Sequence, residues 1–388
     1  MIYRHVDYNE VIDILGKNQN NESLKDINVF VLRNITLEPI FDTYLKYYFC
    51  KLGYMPSIKY GELSDIFQEV ATCKGLLNDS TDIVVVFIQL ETLSRSITST
   101  YLYTNNIEIE KEKNNITNYV EAIFNFIRKQ TQAIILFVSF ELPVYPLYGI
   151  LDSQSETYQM GTINWLNNQL KHIIYKNANA YYIDINLCIS RVGSKNFYDR
   201  RLWYATRTPY SKDAFQEISF EISKYVRAIY GINKKCIVLD CDNVLWGGVI
   251  GEDGLSGIIL GPDYEGLAYY EFQQEIVNLY DRGVIIAICS KNNENDIWEV
   301  FNNHPYMILK RHHISASRIN WDDKTNNIIS ISKELNISLE SLVFVDDSEY
   351  EIELVNSILP QVETVHLQKN KYFTYRDIIV SCGLFDSL

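Results

Sequence analysis

Short runs of apolar, often β-branched residues recur along the first half of the chain, and each run is bounded by polar residues. Runs of this kind predict buried strands, here at 27–32, 83–90, 134–140 and 181–185. The longer segments between them repeat apolar residues at helical spacing and predict helices at 40–52, 116–128 and 163–175. Alternating strands and helices are typical of a parallel sheet that is covered by helices on both faces.

A second series of the same kind follows a helix predicted at about 211–230 and the short segment 231–235. Its predicted strands are 236–239, 284–289 and 342–345. Its predicted helices are 267–282, 294–302, 324–335 and a helix that begins at 349. We therefore predict an α/β protein with two domains, 1–230 and 235–388, each built on a doubly wound parallel sheet.

The composition agrees with two globular domains. The chain has 388 residues, of which 47% are hydrophobic and 22% are charged, and this length exceeds what one core usually supports. The formal net charge is −14, so nucleic acid and anionic membranes, which require a basic surface, are not expected as partners. Phosphorylated substrates are not excluded, because a bound metal ion can reverse the local field.

The cysteines and the N-terminal sequence predict a cellular compartment. The seven cysteines are scattered, without a C-x-x-C pair or a zinc-type cluster, as is typical of reduced thiols. The N-terminal sequence lacks the apolar region of a signal peptide, and no stretch is long and apolar enough for a transmembrane helix. We therefore expect a cytoplasmic protein.

Carboxylates follow two of the strands predicted in the second half. Asp240 and Asp242 come after the first strand of the second series, and Asp346 and Asp347 come after its last strand. Because the carboxyl ends of parallel strands form the ligand-binding edge of an open α/β sheet, these side chains are expected to converge. Four carboxylates repel one another unless a cation lies among them, and oxygen ligands favour Mg²⁺. We therefore predict a Mg²⁺ site at these four residues.

Two further polar residues are expected at the same edge. Ser290 follows the strand predicted at 284–289, and Lys324 begins the predicted helix 324–335, where its charge could neutralise a phosphate. Each feature alone has an ordinary explanation, since Asp pairs favour loops and a single lysine on a helix is usually solvated. Their joint occurrence at the ends of several elements favours a phosphoryl-transfer site.

These motifs resemble those of the haloacid dehalogenase superfamily, which has an Asp-x-Asp pair, a strand-end Ser or Thr, a Lys and a strand-end acidic pair in this order. The resemblance implies that Asp240 is a nucleophile that forms an aspartyl-phosphate, and that Asp242 is the general acid and then the general base. The other roles that it implies are phosphoryl binding by Ser290, charge balance by Lys324, and Mg²⁺ binding by Asp346 and Asp347 together with Asp240.

Two features set this chain apart within the superfamily pattern. The usual Thr after Asp-x-Asp is Val244, which has nearly the same shape but no hydroxyl. Many members also cover the site with a cap domain that is inserted between the motifs. Too few residues separate Asp240 from Ser290, or Ser290 from Lys324, for such a domain. We therefore expect an open site, which suits a substrate presented on another protein.

Longer matches narrow the resemblance to the FkbH-like family, the glyceryl-carrier-protein synthases of polyketide pathways. The matching segments are 245–261, 289–293, 319–324, 343–348 and 383–387. This resemblance implies that a glyceryl unit is taken from 1,3-bisphosphoglycerate and loses both phosphates. The unit is then carried as a thioester on the phosphopantetheine arm of an acyl carrier protein.

Acyl transfer of this kind could use an enzyme thiol, and two cysteines lie next to the motifs. Cys289 directly precedes Ser290 and is the candidate for holding the glyceryl group. The alternative stays open, because Cys289 also ends a predicted core strand, and the carrier thiol could attack directly. Cys241 is the lesser candidate, since strand alternation directs its side chain away from Asp240 and Asp242.

The first domain resembles the SGNH-hydrolase-like domain that precedes the phosphatase-like domain in this family. Where a hydrolase has its Gly-Asp-Ser turn, this chain has the segment 33–36 without a serine. Asp199 lies where an Asp-x-x-His pair is expected, but no histidine follows it. The domain is therefore expected to be non-hydrolytic, with a structural or docking role.

A basic cluster lies close to Asp199 in the sequence. Arg200, Arg201 and Arg207 flank Trp203 and Tyr204, and acyl carrier proteins are acidic, so the cluster could be a docking surface. Internal salt bridges at a domain boundary are the alternative.

Three functions stay open for the whole chain. The first is glyceryl transfer to a carrier protein with Mg²⁺-dependent dephosphorylation. The second is a stand-alone phosphatase of the same superfamily that acts on a small phosphometabolite or a phosphoprotein. The third is a non-catalytic scaffold that binds a carrier protein, which the clustered carboxylates argue against, since a scaffold does not require them.

Overall fold

The computed structural model describes residues 6–18, 23–61 and 77–388. Cys73 and the first residues of the N-terminal sequence considered above lie outside these ranges. Contacts divide the chain into two compact units, one that runs to Ser223 and one from Lys224 to Leu388. The division falls inside the helix Lys212–Ile229.

The first unit is built on a five-stranded parallel sheet with the order β2-β1-β3-β4-β5. Its strands are β1 (Lys25–Arg33), β2 (Tyr54–Tyr60), β3 (Ile83–Phe87), β4 (Ile134–Val138) and β5 (Ala180–Ile183). Every residue of the central strand β3 is buried, as expected for a parallel strand that has helices on both faces.

The described helices of the first unit alternate with its strands. They are α1 (Tyr8–Asn18), α2 (Ile40–Lys51), α3 (Leu90–Leu93), α4 (Asn106–Gln130), α5 (Gln159–Tyr175), α6 (Ile185–Val192), α7 (Ser194–Phe197), α8 (Arg200–Thr206) and α9 (Lys212–Ile229). On one sheet face, Val84 and Val86 of β3 share a core with Val120 and Phe124, which lie one turn apart on α4. Apolar side chains at every second position of the strand therefore pack against apolar side chains that recur every 3.6 residues on the helix.

The second unit has its own five-stranded parallel sheet with the order β10-β9-β6-β7-β8. Its strands are β6 (Cys236–Leu239), β7 (Ile285–Ser290), β8 (Ile314–Ile319), β9 (Leu342–Asp346) and β10 (Glu363–His366). Successive residues of the inner strands belong to two different apolar clusters, as with Ile237 and Val238 on β6. The sheet therefore has a helix-covered core on each face.

The helices of the second unit are α10 (Ile250–Gly257), α11 (Tyr264–Asp281), α12 (Glu294–Asn303), α13 (Lys324–Leu335), α14 (Glu349–Ile358) and α15 (Tyr375–Ser381). The chain between Asp240 and Lys324 is described throughout, and all of it belongs to this one unit. No separate domain is inserted there. In the described part of the chain, no helix combines the length and the apolar character that a bilayer crossing requires.

The predicted fold class is confirmed, since both units are α/β with fully parallel sheets. Three strands were not predicted, namely β2, β8 and β10. All three lie at the edges of their sheets, and they contain few buried residues compared with the inner strands. Such strands lack the continuous apolar run that identifies a buried strand in the sequence.

Candidate active site

The site lies at the carboxyl end of β6, the middle strand of the second sheet. The last residue of β6 is in register with β7 on one side and with β9 on the other. The next residue, Asp240, is therefore flanked by the strand ends that carry Ser290 and Asp346. This sheet edge is where open α/β proteins bind ligands.

A buried lysine links the ends of β6 and β9. Lys324, the first residue of α13, donates a hydrogen bond from Nζ to Asp346 Oδ2 at 2.6 Å, and the same Nζ lies 3.1 Å from Asp240 Oδ1. Burial lowers the pKa of Lys324, but the charges of Asp240 and Asp346 outweigh this effect and raise it above its usual value. Lys324 is therefore a fixed positive charge inside the site.

Three of the four predicted carboxylates form one group. Asp240, Asp346 and Asp347 each place an oxygen within 4.8 Å of the others. Burial, followed by the charge of Asp240, raises the pKa of Asp346 to about 7 and that of Asp347 to about 6. Asp240 Oδ1 is buried, forms the ion pair with Lys324 and accepts no hydrogen bond from the described residues. An all-oxygen group with an unused buried lone pair fits a hard divalent cation.

Asp242, the fourth carboxylate predicted at the metal site, is not part of this group. Its Oδ1 accepts hydrogen bonds from the Trp246 indole N–H at 2.9 Å and from the Ile250 backbone N–H at 3.1 Å, and its Oδ2 accepts one from Asn292 at 3.0 Å. Burial raises the pKa of Asp242, although these hydrogen bonds act in the opposite direction. A raised pKa suits the general acid that the resemblance implies, because the carboxyl holds its proton more readily.

Asn292 connects the general-acid candidate to the serine. Its buried Nδ2 donates to Asp242 Oδ2 and also to Ser290 Oγ, at 3.1 Å, and Ser290 is itself 1% exposed. The motifs give no role to Asn292. The sequence signal for Asn292 is its position two residues after Ser290, in the turn from β7 into α12. This turn places the Asn292 side chain at the same sheet edge as Ser290.

We expect that replacing Asn292 with leucine lowers kcat of the phosphoryl transfer that the sequence resemblance implies by roughly tenfold to hundredfold, because outer hydrogen-bond partners orient the reacting groups. Steady-state kinetics with a chromogenic phosphate ester measures this change. Asn293→Leu is the matched control, since Asn293 is adjacent but exposed, and it should change kcat less than about twofold. Equal losses in both variants would show that the Asn292 contacts do not position the site.

The loop after Asp240 turns sharply enough to bring Asp242 and Trp246 together. Asn243 adopts a left-handed φ of 56°, and its Oδ1 accepts a hydrogen bond from the Gly248 backbone N–H at 3.1 Å. Asn tolerates this conformation better than most residues. Trp246 is fully buried, as is Val244 in the same apolar cluster. Val244, at the position of the usual Thr, therefore packs in the apolar core.

The two thiols next to the motifs are buried. Cys289 and Cys241 are both 0% exposed, and Cys289 packs among apolar residues that include Val238 and Phe344. Burial raises the pKa of Cys289 to about 12 and the pKa of Cys241 well above its usual value. Because the thiolate is the nucleophilic form, this geometry favours the structural interpretation of Cys289.

In the first unit, the two positions where a hydrolase has catalytic residues have structural roles. Asn34, at the end of β1, donates to the Gln89 carbonyl at 2.9 Å and accepts from the Gln89 N–H at 2.8 Å. Asp199 caps α8 by accepting from the backbone N–H groups of Arg201 and Leu202.

The basic cluster that was predicted as a docking surface lies on and after α8. Arg200, Arg201 and Arg207 are exposed. The Arg201 guanidinium is 3.4 Å from Asp199, and that of Arg207 lies over the Trp203 ring at 5.1 Å. These local contacts leave the cluster at the surface, so docking of a carrier protein stays a prediction.

No family model and no curated protein matches the chain. Among solved structures, it is similar to the N-terminal part of protein BF1531 from Bacteroides fragilis, which contains a phosphatase domain complexed with Mg. The TM-score is 0.85 at 24% sequence identity, over 99% of each chain. This likeness shows that the whole fold, with both units, is shared with that protein.

Two weaker likenesses each cover one part of the chain. A haloacid dehalogenase (HAD) family enzyme, BT-2542 from Bacteroides thetaiotaomicron in complex with magnesium and inorganic phosphate, matches at 12% identity and a TM-score of 0.28, over 36% of this chain and 96% of its own. The lipase Lip_vut3 from a goat rumen metagenome matches at 12% identity and a TM-score of 0.35, over 50% of this chain and 95% of its own. Both are too distant to support an argument about function.

Proposed function

We propose that the chain is a Mg²⁺-dependent enzyme of the haloacid dehalogenase type that removes phosphoryl groups through Asp240. The observation that supports this proposal is the group of Asp240, Asp346 and Asp347 around Lys324 at the carboxyl ends of two adjacent strands. A structural ion pair requires one carboxylate for one lysine. The surplus of buried negative charge fits a cation and a phosphate better than it fits a stabilising role.

Each residue of the site has a separate role in the proposed reaction. Asp240 attacks phosphorus, the bond from phosphorus to the leaving oxygen breaks, and Asp242 donates a proton to that oxygen. Asp242 then takes a proton from water, which hydrolyses the aspartyl-phosphate and restores Asp240. Ser290 and Lys324 hold the phosphoryl oxygens. Bound Mg²⁺, held by Asp240, Asp346 and Asp347, would offset the negative charge of the phosphoryl group and the nucleophile.

The proposed substrate is 1,3-bisphosphoglycerate, and the proposed partner is an acyl carrier protein in a polyketide-type pathway. Support comes from the FkbH-like motifs and from the uninterrupted chain between Asp240 and Lys324, which leaves the site without an inserted domain. The carrier thiol would attack the acyl carbon and release the 1-phosphate as inorganic phosphate. The 3-phosphate would then be removed at Asp240. A stand-alone phosphatase is the alternative.

Intact-protein mass spectrometry with Mg²⁺, 1,3-bisphosphoglycerate and a phosphopantetheinylated carrier protein tests this proposal. The expected product is a carrier with a glyceryl group that has lost both phosphates. Phosphate release without any change in the carrier mass would leave only the stand-alone phosphatase. Absence of both reactions, with the carrier alone bound, would favour the non-catalytic scaffold.

The burial of Cys289 predicts that its thiol is dispensable. Cys289→Ala should keep both phosphate release and carrier loading within about threefold of wild type, because a thiol with a raised pKa is a poor nucleophile at neutral pH. Mass spectrometry should also find no glyceryl adduct on the enzyme. Cys382→Ala, another buried cysteine that lies outside the site motifs, controls for loss of packing. Loss of loading in Cys289→Ala alone would establish the acyl-enzyme instead.

Replacing Asp347 with asparagine should weaken the metal site while the fold is kept. Asp347 is only partly buried, so the change removes one ligand charge at a low packing cost. We expect the Mg²⁺ concentration at half-maximal activity to rise by about tenfold or more. Asp323→Asn, an exposed acidic residue beside Lys324, should leave it unchanged. A wild-type Mg²⁺ dependence in Asp347→Asn would remove this residue from the proposed site.

A further inference from the structure

A cavity in the first unit has no part in the function proposed above. Its volume is about 700 Å³, within the range of sites that bind small molecules. It lies beyond the carboxyl ends of β3 and β4, where Gln89 and Glu141 line it. This is the edge of an open α/β sheet at which ligands bind.

Two polar residues of the cavity lining, Glu141 and Gln89, are only partly exposed. Glu141 accepts hydrogen bonds from the hydroxyls of Tyr198, at 2.8 Å, and Tyr210, and no described Lys or Arg forms an ion pair with it. Burial raises the pKa of Glu141. Gln89 Oε1 is buried and accepts no hydrogen bond from any described residue. A ligand with several hydroxyls would bond to the amide of Gln89 and the carboxyl of Glu141 at the cavity lining.

The backbone of Gln89 is also held in place. Its backbone N–H and carbonyl are both bound by the side chain of Asn34, at 2.8 and 2.9 Å. Gln159, which lines the same cavity and is 3% exposed, donates to the Ile97 and Thr98 carbonyls and accepts from the Leu147 N–H. The Gln89 backbone and the Gln159 amide are therefore fixed before any ligand binds, which lowers the entropy cost of binding.

Aromatic rings also line the cavity. Tyr145 and Tyr204 are 77% and 73% exposed although both line the cavity, and Trp203 lies beside Tyr204 on α8. Exposed rings that frame a concave site usually contact the ligand. They offer flat apolar faces to ligands that have C–H groups on one side and hydroxyls at the edges.

The same cavity lacks the groups that other ligand classes or hydrolysis require. Its cationic residues, Lys195 and Arg200, are both exposed to solvent, and the carboxyl of Glu141 disfavours a phosphate beside it. Fixed polar groups disfavour a purely apolar chain. No described histidine lines it, and the positions where hydrolases of the resembling kind have their serine turn and Asp-x-x-His pair hold Asn34 and Asp199, which make structural hydrogen bonds.

We propose that this cavity of the first unit binds a saccharide and does not hydrolyse it. The sugar hydroxyls bond to the side chains of Gln89 and Glu141, and the C–H face of a ring packs on Tyr204 and Trp203. This binding is independent of phosphate removal at Asp240, so the two proposals can fail separately.

Saturation-transfer NMR on the full chain tests the proposal, with a panel of glucose, galactose, N-acetylglucosamine, glucuronic acid, cellobiose and chitobiose at up to about 10 mM. At least one sugar should bind. Tyr204→Ala and Gln89→Met should each weaken that binding by about tenfold, the effect of losing one aromatic stack or one buried hydrogen bond. Tyr175→Ala, a control at a 92% exposed tyrosine on α5 outside the cavity, should bind like wild type.

Two results would overturn the proposal. One is that no sugar of the panel binds to the wild-type chain. The other is that Tyr204→Ala and Gln89→Met bind as Tyr175→Ala does, because binding would then lie outside the cavity. Release of a smaller sugar or an acyl group from a bound ligand would contradict the claim that the cavity only binds. Thermal melting followed by circular dichroism should be unchanged in all three variants, which confirms that each is folded.

Discussion

Asp240→Asn is expected to lower phosphate release by at least about a thousandfold, as is usual when a covalent nucleophile is removed. Asparagine has the shape of aspartate, but its neutral amide oxygen is a much weaker nucleophile. The fold should be kept, because the Asp240 side chain makes only the ion pair with Lys324 among the described residues and no packed hydrogen bond depends on it. Steady-state kinetics with Mg²⁺ and a chromogenic phosphate ester measures the loss.

A matched control separates the nucleophile from general effects of charge. Asp322→Asn removes one carboxylate from an exposed position two residues before Lys324, and it should keep activity within about twofold. In wild type, an acid quench during turnover should trap a phosphoryl group on the peptide that contains Asp240. The same quench of Asp240→Asn should trap none. If Asp240→Asn keeps more than about a tenth of wild-type activity, Asp240 is not the nucleophile.

Inner strands could be predicted from the sequence because burial on both faces requires continuous apolar runs. Strands β1, β3, β4, β6, β7 and β9 overlap their predicted ranges, and so does β5, an edge strand made of apolar and aromatic residues. The edge strands β2, β8 and β10 could not be found in the same way, and β2 contains Pro56, which favours an edge position. Helix α4 begins at Asn106, whereas the prediction began at 116. The prediction missed the first turns because they are rich in charged, exposed residues and therefore lack an apolar stripe.

The site motifs could be predicted because each stands at the end of a strand or the start of a helix, and a parallel sheet brings such ends together. Asp240, Ser290 and Asp346 illustrate this. What spacing could not show is which carboxylate makes which contact. Asp242 turns toward Trp246 and Asn292 instead of joining the other three carboxylates, since the loop after Asp240 turns back through a left-handed Asn243.

The cavity of the first unit could not be predicted at all from motifs. Its residues come from the loops after β3 and β4 and from α8, which are far apart in sequence. The sequence of α8 stands out as a basic cluster, but this pattern predicts a docking surface and not a cavity. Only the fold brings Gln89, Glu141 and Tyr204 to one place. The sequence resemblance could therefore show that the hydrolase residues are absent, but it could not show that a cavity is present.

Lys324→Met is expected to destabilise the second unit by about 3–5 kcal/mol, the usual result when one partner of a buried ion pair is removed. Lys324 is 3% exposed, and without its charge Asp240 and Asp346 remain buried next to each other without a cation. For a unit of this size, that change corresponds to a fall in Tm of roughly 10 °C. Phosphate release should also fall by about a hundredfold or more, because the charge that stabilises the phosphoryl oxygens is lost.

Mg²⁺ provides the decisive comparison for this variant. If the carboxylates bind the metal, its charge replaces part of the missing ammonium, so Mg²⁺ should raise the Tm of Lys324→Met more than it raises the Tm of wild type. Lys333→Met changes an exposed position on the same helix α13. Its free energy of unfolding should be within about 1 kcal/mol of the wild-type value, with or without Mg²⁺. Calorimetry in EDTA and in Mg²⁺ measures all three proteins. Equal Mg²⁺ effects on wild type and Lys324→Met would mean that the metal does not share the carboxylates with this lysine, and the proposed site would need other ligands.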